Sequence, residues 1–243
     1  MLFRSFKKGD AVYGIDSTAL GAYAEYACRP EKSALVLKPD NLGFDEAASL
    51  PFGAGTALYF LRNLVKVQSG QKVLVNGASG GVGVYAVQFA KYYGAEVSGV
   101  CSTQNLELVQ SLGADQVIDY TRQDFTQNVE AYDVILDTVA GKNDFARCKN
   151  ALKPQGIYLA VAGGLREMLD MLRTSITGGK KVMAGTPAEN QEDFLFIKEL
   201  VEAGKLKPVI DRRYPLAQTA EAHRYVDTGR KRGSVVITIN AEA

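Results

Sequence analysis

The segment KVLVNGASGGVGVYAVQFAK, residues 72–91, joins a run of apolar residues to a helical pattern through a turn of small residues. A short apolar run that ends in glycine is typical of a buried strand, and the apolar spacing from residue 83 onward is typical of a helix. A helix that begins directly after a buried strand presents free N–H groups and a partial positive charge at the turn. The segment therefore predicts a strand, an anion-binding turn and a helix.

Strands and helices alternate through the middle of the chain. The predicted strands are 72–77, 95–102, 115–120, 131–139, 156–163 and 180–185, and the predicted helices are 83–94, 105–113, 144–154, 165–177 and 190–205. Strands that are apolar on both faces and separated by helices indicate a parallel sheet covered on both sides. The predicted fold class is therefore α/β, a doubly wound parallel (Rossmann) sheet with its ligand at the carboxyl ends of the strands.

The two ends of the chain lack this alternation. Residues 1–50 contain short strands interrupted by glycine and a turn-rich stretch, and residues 206–243 contain a strand, a helix and a terminal strand. We therefore predict a Rossmann dinucleotide-binding domain at 51–205. A smaller, β-rich second domain is predicted to form from both chain ends, 1–50 and 206–243.

Composition narrows the class of partner. With 28 Lys plus Arg against 27 Asp plus Glu, no sign of charge dominates, so we expect no nucleic acid and no membrane surface as partner. Without a long apolar run or a secretory signal, a cytoplasmic location is predicted. Cys28, Cys101 and Cys148 lie far apart and His223 is the sole histidine, so neither a disulfide framework nor a zinc spacing is present and no metal site is predicted.

The glycines of the opening segment suit a pyrophosphate. Gly80 would let the backbone approach the ligand, and Gly83 would let the helix pack closely on the strand. Ala78 replaces the first glycine of the strict dinucleotide motif, and an ordinary glycine turn is the alternative. Because the turn lies within a repeated strand and helix series, we favour a dinucleotide site. Its predicted residues are Ser79, Gly80, Gly81, Val82 and Gly83.

A set of residues around this turn stands at the spacing of a known signature. These residues are Gly70, Gln71, Leu74, Ala78, Ser79, Gly80, Gly81, Gly83, Gln88 and Lys91. The segment thereby resembles the quinone oxidoreductase (zeta-crystallin-like) branch of the medium-chain dehydrogenase/reductase family. The resemblance continues through FGAGTALYFL (52–61), YDVILDTVAG (132–141) and GSVVITI (233–239).

The resemblance implies an NADPH-dependent oxidoreductase that transfers hydride to a quinone or other α,β-unsaturated carbonyl without zinc. It also implies that the β-rich domain is GroES-like and that its first part, ahead of Phe6, is missing. An enoyl-thioester reductase of the same fold is one alternative, and a truncated, catalytically inactive dinucleotide-binding chain is another. The expected partners are a small-molecule substrate, a quinone or enone, and a second copy of the chain in a homodimer.

The cofactor is predicted from the end of the second strand of the central domain. The stretch CSTQN, residues 101–105, holds no acid that would bind ribose hydroxyls and repel a phosphate, which favours NADPH over NADH. Hydrogen-bonding candidates for the 2′-phosphate are Ser102, Thr103, Gln104, Asn105 and, by resemblance, Tyr120. Relatives usually carry a basic residue at position 104 or 105, and neither is basic here. Arg122 is the nearest spare cation, and we favour a solvated role for it.

Four further candidates are single positions. By resemblance Thr56 reaches toward the nicotinamide, and a helix hydroxyl bonded to its own turn is the alternative. Val139 follows the fourth strand, and Ala162 and Gly163 follow the fifth, where a doubly wound sheet meets its ligand. Asp137 is predicted to be structural rather than a proton donor. Since a quinone or enone is already polarised, no covalent nucleophile is required; the catalytic residues are unknown, and a proton could come from solvent or a tyrosine.

Overall fold

The computed structural model describes residues 6–17, 21–139 and 145–239. The chain divides into two compact units, one made of Met1–Gly55 with Ala188–Ala243 and one made of Thr56–Pro187. The strands are β1 (Val12–Ile15), β2 (Ala34–Leu37), β3 (Lys72–Asn76), β4 (Glu96–Cys101), β5 (Gln116–Asp119), β6 (Tyr132–Asp137), β7 (Leu152–Ala160), β8 (Lys181–Ala184), β9 (Ile210–Pro215) and β10 (Ser234–Thr238).

The helices alternate with these strands. They are α1 (Phe44–Leu58), α2 (Gly83–Tyr92), α3 (Leu106–Ser111), α4 (Phe145–Cys148), α5 (Leu165–Thr177), α6 (Gln191–Glu202) and α7 (Thr219–Asp227). A π-helical stretch, Tyr59–Leu64, continues α1, and 3₁₀ turns lie at Thr103–Asn105, Phe125–Gln127 and Leu216–Gln218. None of the helices in the described ranges is long and apolar enough to cross a membrane.

The second unit is built on a parallel sheet. Its described residues form six strands in the order β5-β4-β3-β6-β7-β8, and every neighbouring pair is parallel. This order, which starts at β3 and reverses direction between β3 and β6, is typical of doubly wound dinucleotide-binding sheets. The predicted α/β fold class is confirmed. A crevice for a ligand is expected where the carboxyl ends of β3 and β6 diverge.

The central strands are apolar because both of their faces are covered. Leu74 in β3 and Ile135 in β6 are fully buried, and each such side chain contributes about 1.5–3 kcal/mol relative to an exposed one. Helix α2 is buried along most of its length, from Gly83 to Ala90. Near-complete burial of a strand, its turn and the following helix explains why this segment is so poor in charge.

Pro154 corrects one sequence prediction. The pattern placed it at the end of a helix over 144–154, but α4 ends at Cys148 and β7 begins at Leu152. The register of β7 against β6 shifts here, since Leu152 faces Tyr132 whereas Ile157 faces Val134. Proline has no N–H to donate, and such an irregularity in the ladder is where a strand accommodates it.

The first unit contains two small sheets. Strands β1 and β2 pair antiparallel, and β9 and β10 pair parallel. Helix α6 also belongs to this unit: the Tyr13 hydroxyl donates to the Phe194 carbonyl oxygen at 2.8 Å, and the two rings pack edge to face. The sequence pattern had placed 190–205 in the central domain, because helical periodicity does not tell which core a helix contacts. That the two units are a dinucleotide-binding domain and a GroES-like substrate domain stays a prediction.

Candidate functional site

The tight turn after β3 is made by Gly77. Its φ of +78° lies in the left-handed region, and a Cβ at this position would meet the Thr138 hydroxyl oxygen at 2.4 Å. The sequence prediction had assigned the tight-turn position to Ala78, which is fully buried. Ala78 fits because Gly99 in β4 has no side chain; a Cβ on Gly99 would lie 3.1 Å from that of Ala78. A lone glycine inside a strand was the sequence signal for this close approach.

Gly83 brings the start of α2 against this turn. A Cβ on Gly83 would meet the Gly77 carbonyl oxygen at 2.1 Å and the Ala78 Cα at 2.8 Å. Helix α2 therefore packs closely at Gly83, as predicted, but it packs against the turn at Gly77 and Ala78 rather than against strand β3 itself. No larger residue fits here without moving the backbone.

The mouth of the turn suits an anionic group. A Cβ on Gly80 would have only the Gly77 carbonyl oxygen within 4 Å, at 3.3 Å, so the space in front of Gly80 is open among the described residues. Within the described ranges no hydrogen bond uses the backbone N–H groups of Gly81, Val82 and Gly83. Unused N–H groups at the start of a helix, together with the helix dipole, favour a pyrophosphate.

Three of the predicted polar residues meet beside this turn. The Asn105 side-chain amide donates to the Ser79 hydroxyl at 3.0 Å and to the Ser102 hydroxyl at 3.2 Å. Asn105 thereby links the glycine turn to the segment that follows β4. The arrangement leaves the two hydroxyl groups able to donate to a sugar or phosphate oxygen.

An acid that the sequence analysis missed lies at the same edge. Asp119 ends β5 and is the register partner of Cys101 at the end of β4. Its carboxylate accepts hydrogen bonds from the hydroxyls of Thr103 and Thr121, and these donors hold the pKa of Asp119 below its usual range. Residues 101–105 themselves contain no acid, but the parallel pairing of β4 with β5 brings the end of β5 next to them. The adjacent Tyr120 has an exposed side chain, and its N–H donates to the Cys101 carbonyl oxygen at 3.1 Å.

A buried carboxylate connects three strand ends. Oδ1 of Asp137 accepts from the Asn76 amide at 2.8 Å and from the Val139 N–H at 2.9 Å, and Oδ2 accepts from the Tyr158 hydroxyl at 2.6 Å. Burial raises the pKa of Asp137 and outweighs the opposite effect of these donors. Because Asp137 orients the backbone at Val139, the network agrees with the structural role expected for it.

The ionisation of Asp137 predicts a pH dependence of stability. A carboxyl whose pKa is raised on folding stabilises the native state most at pH values below about 4 and loses that contribution as the pH rises through the folded pKa. The amide of an Asp137→Asn variant cannot ionise, so the unfolding free energy of wild type minus that of the variant should fall between acidic and neutral pH. Urea unfolding at several pH values measures this difference, and a constant or rising difference would contradict the prediction.

The other predicted residues occupy separate positions. Thr56 is buried in α1, and among the described residues no hydrogen bond of its side chain to the preceding turn is observed. Ala162 and Gly163 are exposed between β7 and α5, where the Gly164 N–H donates to Glu167 Oε2 at 2.7 Å. Val139 contacts the glycine turn, since a Cβ on Gly77 would lie 2.8 Å from Val139 Cγ2.

The described residues offer no metal centre. Within them, no three or more His, Cys, Asp or Glu side chains lie close enough together to hold an ion. His223, in α7, is exposed and packs edge to face against Tyr23 with ring centroids 5.7 Å apart. This position matches the packing or surface role that is usual for a lone histidine.

The strand order, the glycine turn and the polar group beside it define an architecture that is typical of dinucleotide-dependent oxidoreductases. A family model described as "Zinc-binding dehydrogenase" matches residues 112–237, slightly more than half of the chain. The chain belongs to the medium-chain dehydrogenase/reductase superfamily, in the branch of quinone oxidoreductases and alkenal reductases.

Individual relatives agree with this assignment. The chain is 36% identical to a "2-methylene-furan-3-one reductase" of Solanum lycopersicum over 96% of its own length and 58% of that protein. It is 34% identical to a chloroplastic "NADPH-dependent alkenal/one oxidoreductase" of Arabidopsis thaliana, over 96% of the chain and 59% of that protein. The chain thus spans less than two thirds of these relatives' length.

A solved structure extends the similarity to the fold. The quinone oxidoreductase of Pseudomonas syringae superposes with a TM-score of 0.81 at 27% sequence identity, covering 96% of this chain and 76% of that one.

Proposed function

We propose that the protein is an NADPH-dependent oxidoreductase that transfers hydride to a quinone or another α,β-unsaturated carbonyl, without zinc. The observation that carries this proposal is the mouth of the turn after β3, where no hydrogen bond within the described ranges uses the N–H groups of Gly81, Val82 and Gly83. The hydroxyl and amide group formed by Ser79, Ser102 and Asn105 lies directly beside it. The names of the relatives, an alkenal/one oxidoreductase and a quinone oxidoreductase among them, support the substrate class.

Each group of residues has a proposed role in holding the cofactor. Residues 79–83 would bind the pyrophosphate, and residues at the ends of β4 and β5 would bind the adenosine end: Ser102, Thr103, Asn105 and Tyr120. Residues at the carboxyl ends of other elements would surround the nicotinamide end: Thr56, Val139, Ala162 and Gly163. NADPH supplies the hydride when bound. The NADPH rather than NADH assignment, like a cytoplasmic location, stays a prediction.

The chain's own task is positioning. An unsaturated carbonyl is polarised already, so orientation of the two reactants and exclusion of water account for most of the required assistance. Asp137 contributes by fixing the backbone at Val139, one residue that would face the cofactor. The final proton would come from solvent or from a tyrosine.

Oxidation of NADPH by the purified chain tests the proposal. A quinone, an enone and an enoyl thioester are assayed separately as hydride acceptors, and each assay is repeated with NADH in place of NADPH. We expect oxidation with the quinone or the enone, faster with NADPH than with NADH. Tight NADPH binding without oxidation would instead indicate an inactive dinucleotide-binding chain. Activity with the enoyl thioester alone would identify an enoyl-thioester reductase, and activity with NADH alone would overturn the cofactor assignment.

We also propose that the protein forms a homodimer through α5 and β8. Five large apolar side chains on one face of α5 are each more than half exposed: Leu165, Met168, Leu169, Leu172 and Ile176. Thr174 lies on the opposite face, where its hydroxyl accepts from the Val182 N–H of β8 at 3.0 Å. Among the described strands β8 is an edge of the sheet, so a two-fold related copy could pair with β8 and cover the apolar face of α5.

The double substitution Leu169→Glu with Leu172→Glu is expected to convert this dimer into a monomer. Charges in an apolar interface lose their hydration without gaining partners, which costs several kcal/mol in total, on the order of 2 per side chain. Light scattering after gel filtration measures the mass, and Thr177→Glu, an exposed position beside the apolar face, serves as control. A monomeric wild type, or a double variant that stays dimeric, would refute the interface.

A further inference from the structure

We propose that Arg122 is the cation that gives the adenosine end of the site its preference for a 2′-phosphate, and that Asp119 holds Arg122 and Thr103 in position for it. The inference rests on the proposed function, since it names a specificity-determining residue of the same dinucleotide site. It assigns to Arg122 a ligand-binding role in place of the solvated role expected from sequence.

The geometry brings Arg122 and Thr103 to the same carboxylate oxygen. Oδ2 of Asp119 accepts the hydrogen bond of the Thr103 hydroxyl, and the Arg122 Nε lies 3.7 Å from that oxygen. Thr103 belongs to the segment that follows β4, which is where the adenosine ribose is held in doubly wound folds. The guanidinium is therefore a neighbour of the predicted phosphate-binding hydroxyls, although it comes from a different strand end.

The chain path keeps Arg122 at this edge of the sheet. The N–H groups of Arg122 and Gln123 both donate to the Asp119 carbonyl oxygen, at 3.0 and 2.9 Å. The Tyr120 N–H donates to the Cys101 carbonyl oxygen at 3.1 Å, so the turn after β5 is attached to the end of β4. The backbone of Arg122 is thus held while its side chain, 77% exposed, can reorient.

Charge explains why this arginine matters. Residues 101–105 contain no cation, and the Asp119 carboxylate at the neighbouring strand end would by itself repel a phosphate. Arg122 offsets that charge and, because its guanidinium is a planar fork of donors, can bind phosphate oxygens in two places. The present contact with Asp119 is long, and the Arg122 side chain is mostly exposed. The buried Asp119 carboxylate would keep its hydrogen bonds from Thr103 and Thr121 when the guanidinium turns to a phosphate, so the exchange costs little. NADH has no 2′-phosphate and would gain nothing from the same residue.

Binding measurements separate the 2′-phosphate from the rest of the cofactor. Dissociation constants of NADPH and NADH, and of 2′,5′-ADP and 5′-AMP, are determined for wild type, Arg122→Gln and Arg122→Lys. Arg122→Gln should weaken NADPH and 2′,5′-ADP about tenfold, as loss of an exposed charge-assisted contact predicts, and leave NADH and 5′-AMP unchanged. Arg122→Lys, which keeps the charge, should retain most of the affinity. Raised salt should shrink the difference between wild type and Arg122→Gln.

Arg147→Gln is the matched control. Arg147 also pairs with an aspartate, Asp124, at 2.9 Å, but α4 precedes β7 and so lies at the amino edge of the sheet. This variant should bind all four ligands as wild type does. Unchanged NADPH affinity in Arg122→Gln, or an equal loss for NADPH and NADH, would overturn the inference alone. A wild type that binds neither dinucleotide would overturn the proposed function itself.

Discussion

Gly80→Asp is expected to abolish NADPH binding while the protein stays folded. Gly80 is not among the residues with positive φ, and a Cβ there meets only the Gly77 carbonyl oxygen within 4 Å, at 3.3 Å, so a shift of a few tenths of an ångström accommodates an aspartate. Its carboxylate would lie at the open mouth of the turn, where it can accept from the N–H groups that start α2. A fixed negative charge about 4 Å from a pyrophosphate costs roughly 4 kcal/mol near a protein surface, which corresponds to a loss of affinity of at least about a hundredfold.

Calorimetric titration measures the NADPH affinity of the variant, and a urea unfolding curve shows whether the variant is folded. Gly80→Ala is the control, because it adds the Cβ without the charge and should bind NADPH within a few-fold of wild type. If Gly80→Asp bound NADPH normally, the turn after β3 would not be the pyrophosphate site. If Gly80→Ala lost NADPH affinity as strongly as Gly80→Asp, the added Cβ rather than the negative charge would cause the loss, and the charge argument would be refuted.

Gly77→Ala is expected to lower the free energy of unfolding by about 3 kcal/mol, from left-handed backbone strain and overpacking together. The new methyl group would meet the Thr138 hydroxyl oxygen at 2.4 Å and Val139 Cγ2 at 2.8 Å. It would also disturb the hydrogen bond that the Thr138 hydroxyl donates to the Asn76 carbonyl oxygen at 2.8 Å, which connects the ends of β3 and β6. NADPH affinity should fall as well, because these strand ends border the crevice.

A Gly70→Ala variant separates the two expected causes of the Gly77→Ala destabilisation, namely backbone strain and crowding by neighbouring side chains. Gly70 has a φ of +81°, close to the +78° of Gly77, but nothing lies within 4 Å of a Cβ at this position. Its substitution should therefore show the backbone cost alone, about 1 kcal/mol, and leave NADPH binding intact. Chemical unfolding of both variants checks the comparison, and equal losses of stability would mean that the contacts with Thr138 and Val139 carry no weight.

Local patterns predicted the elements that depend on neighbours in sequence. The apolar run of β3, the glycine turn and α2 follow one another within residues 72–92, so a strand, a sharp bend and a helix could be expected from periodicity and glycine placement. The position of Pro154 was predicted wrongly because it depends on a neighbour that is distant in sequence. Whether a proline ends a helix or occupies an irregularity in a strand depends on the partner strand, here β6, which periodicity does not contain.

Some residues of the candidate site could likewise be predicted from local sequence, and others could not. Gly80 and Gly83 could be named from the turn alone, because both contact backbone that is adjacent in the chain, whereas the contact of Ser79 with Asn105 depends on the fold. Asp119 could not be named, because it reaches Thr103 only through the pairing of β4 with β5. Sequence order places Arg122 near Tyr120, but its proximity to the segment after β4 is a property of the folded sheet.

By itself, the sequence determined the fold class and the glycine turn between β3 and α2, since hydrophobic period and glycine spacing act over a few residues. The tertiary structure alone decided which side chains share an edge: Ala78 with Gly99, Asp137 with Tyr158, and Asp119 with Thr103 and Arg122. These contacts join residues from different strands, and their formation depends on strand order and register. Parallel strands bring their carboxyl ends to one edge, so residues far apart in the chain meet where the cofactor is proposed to bind.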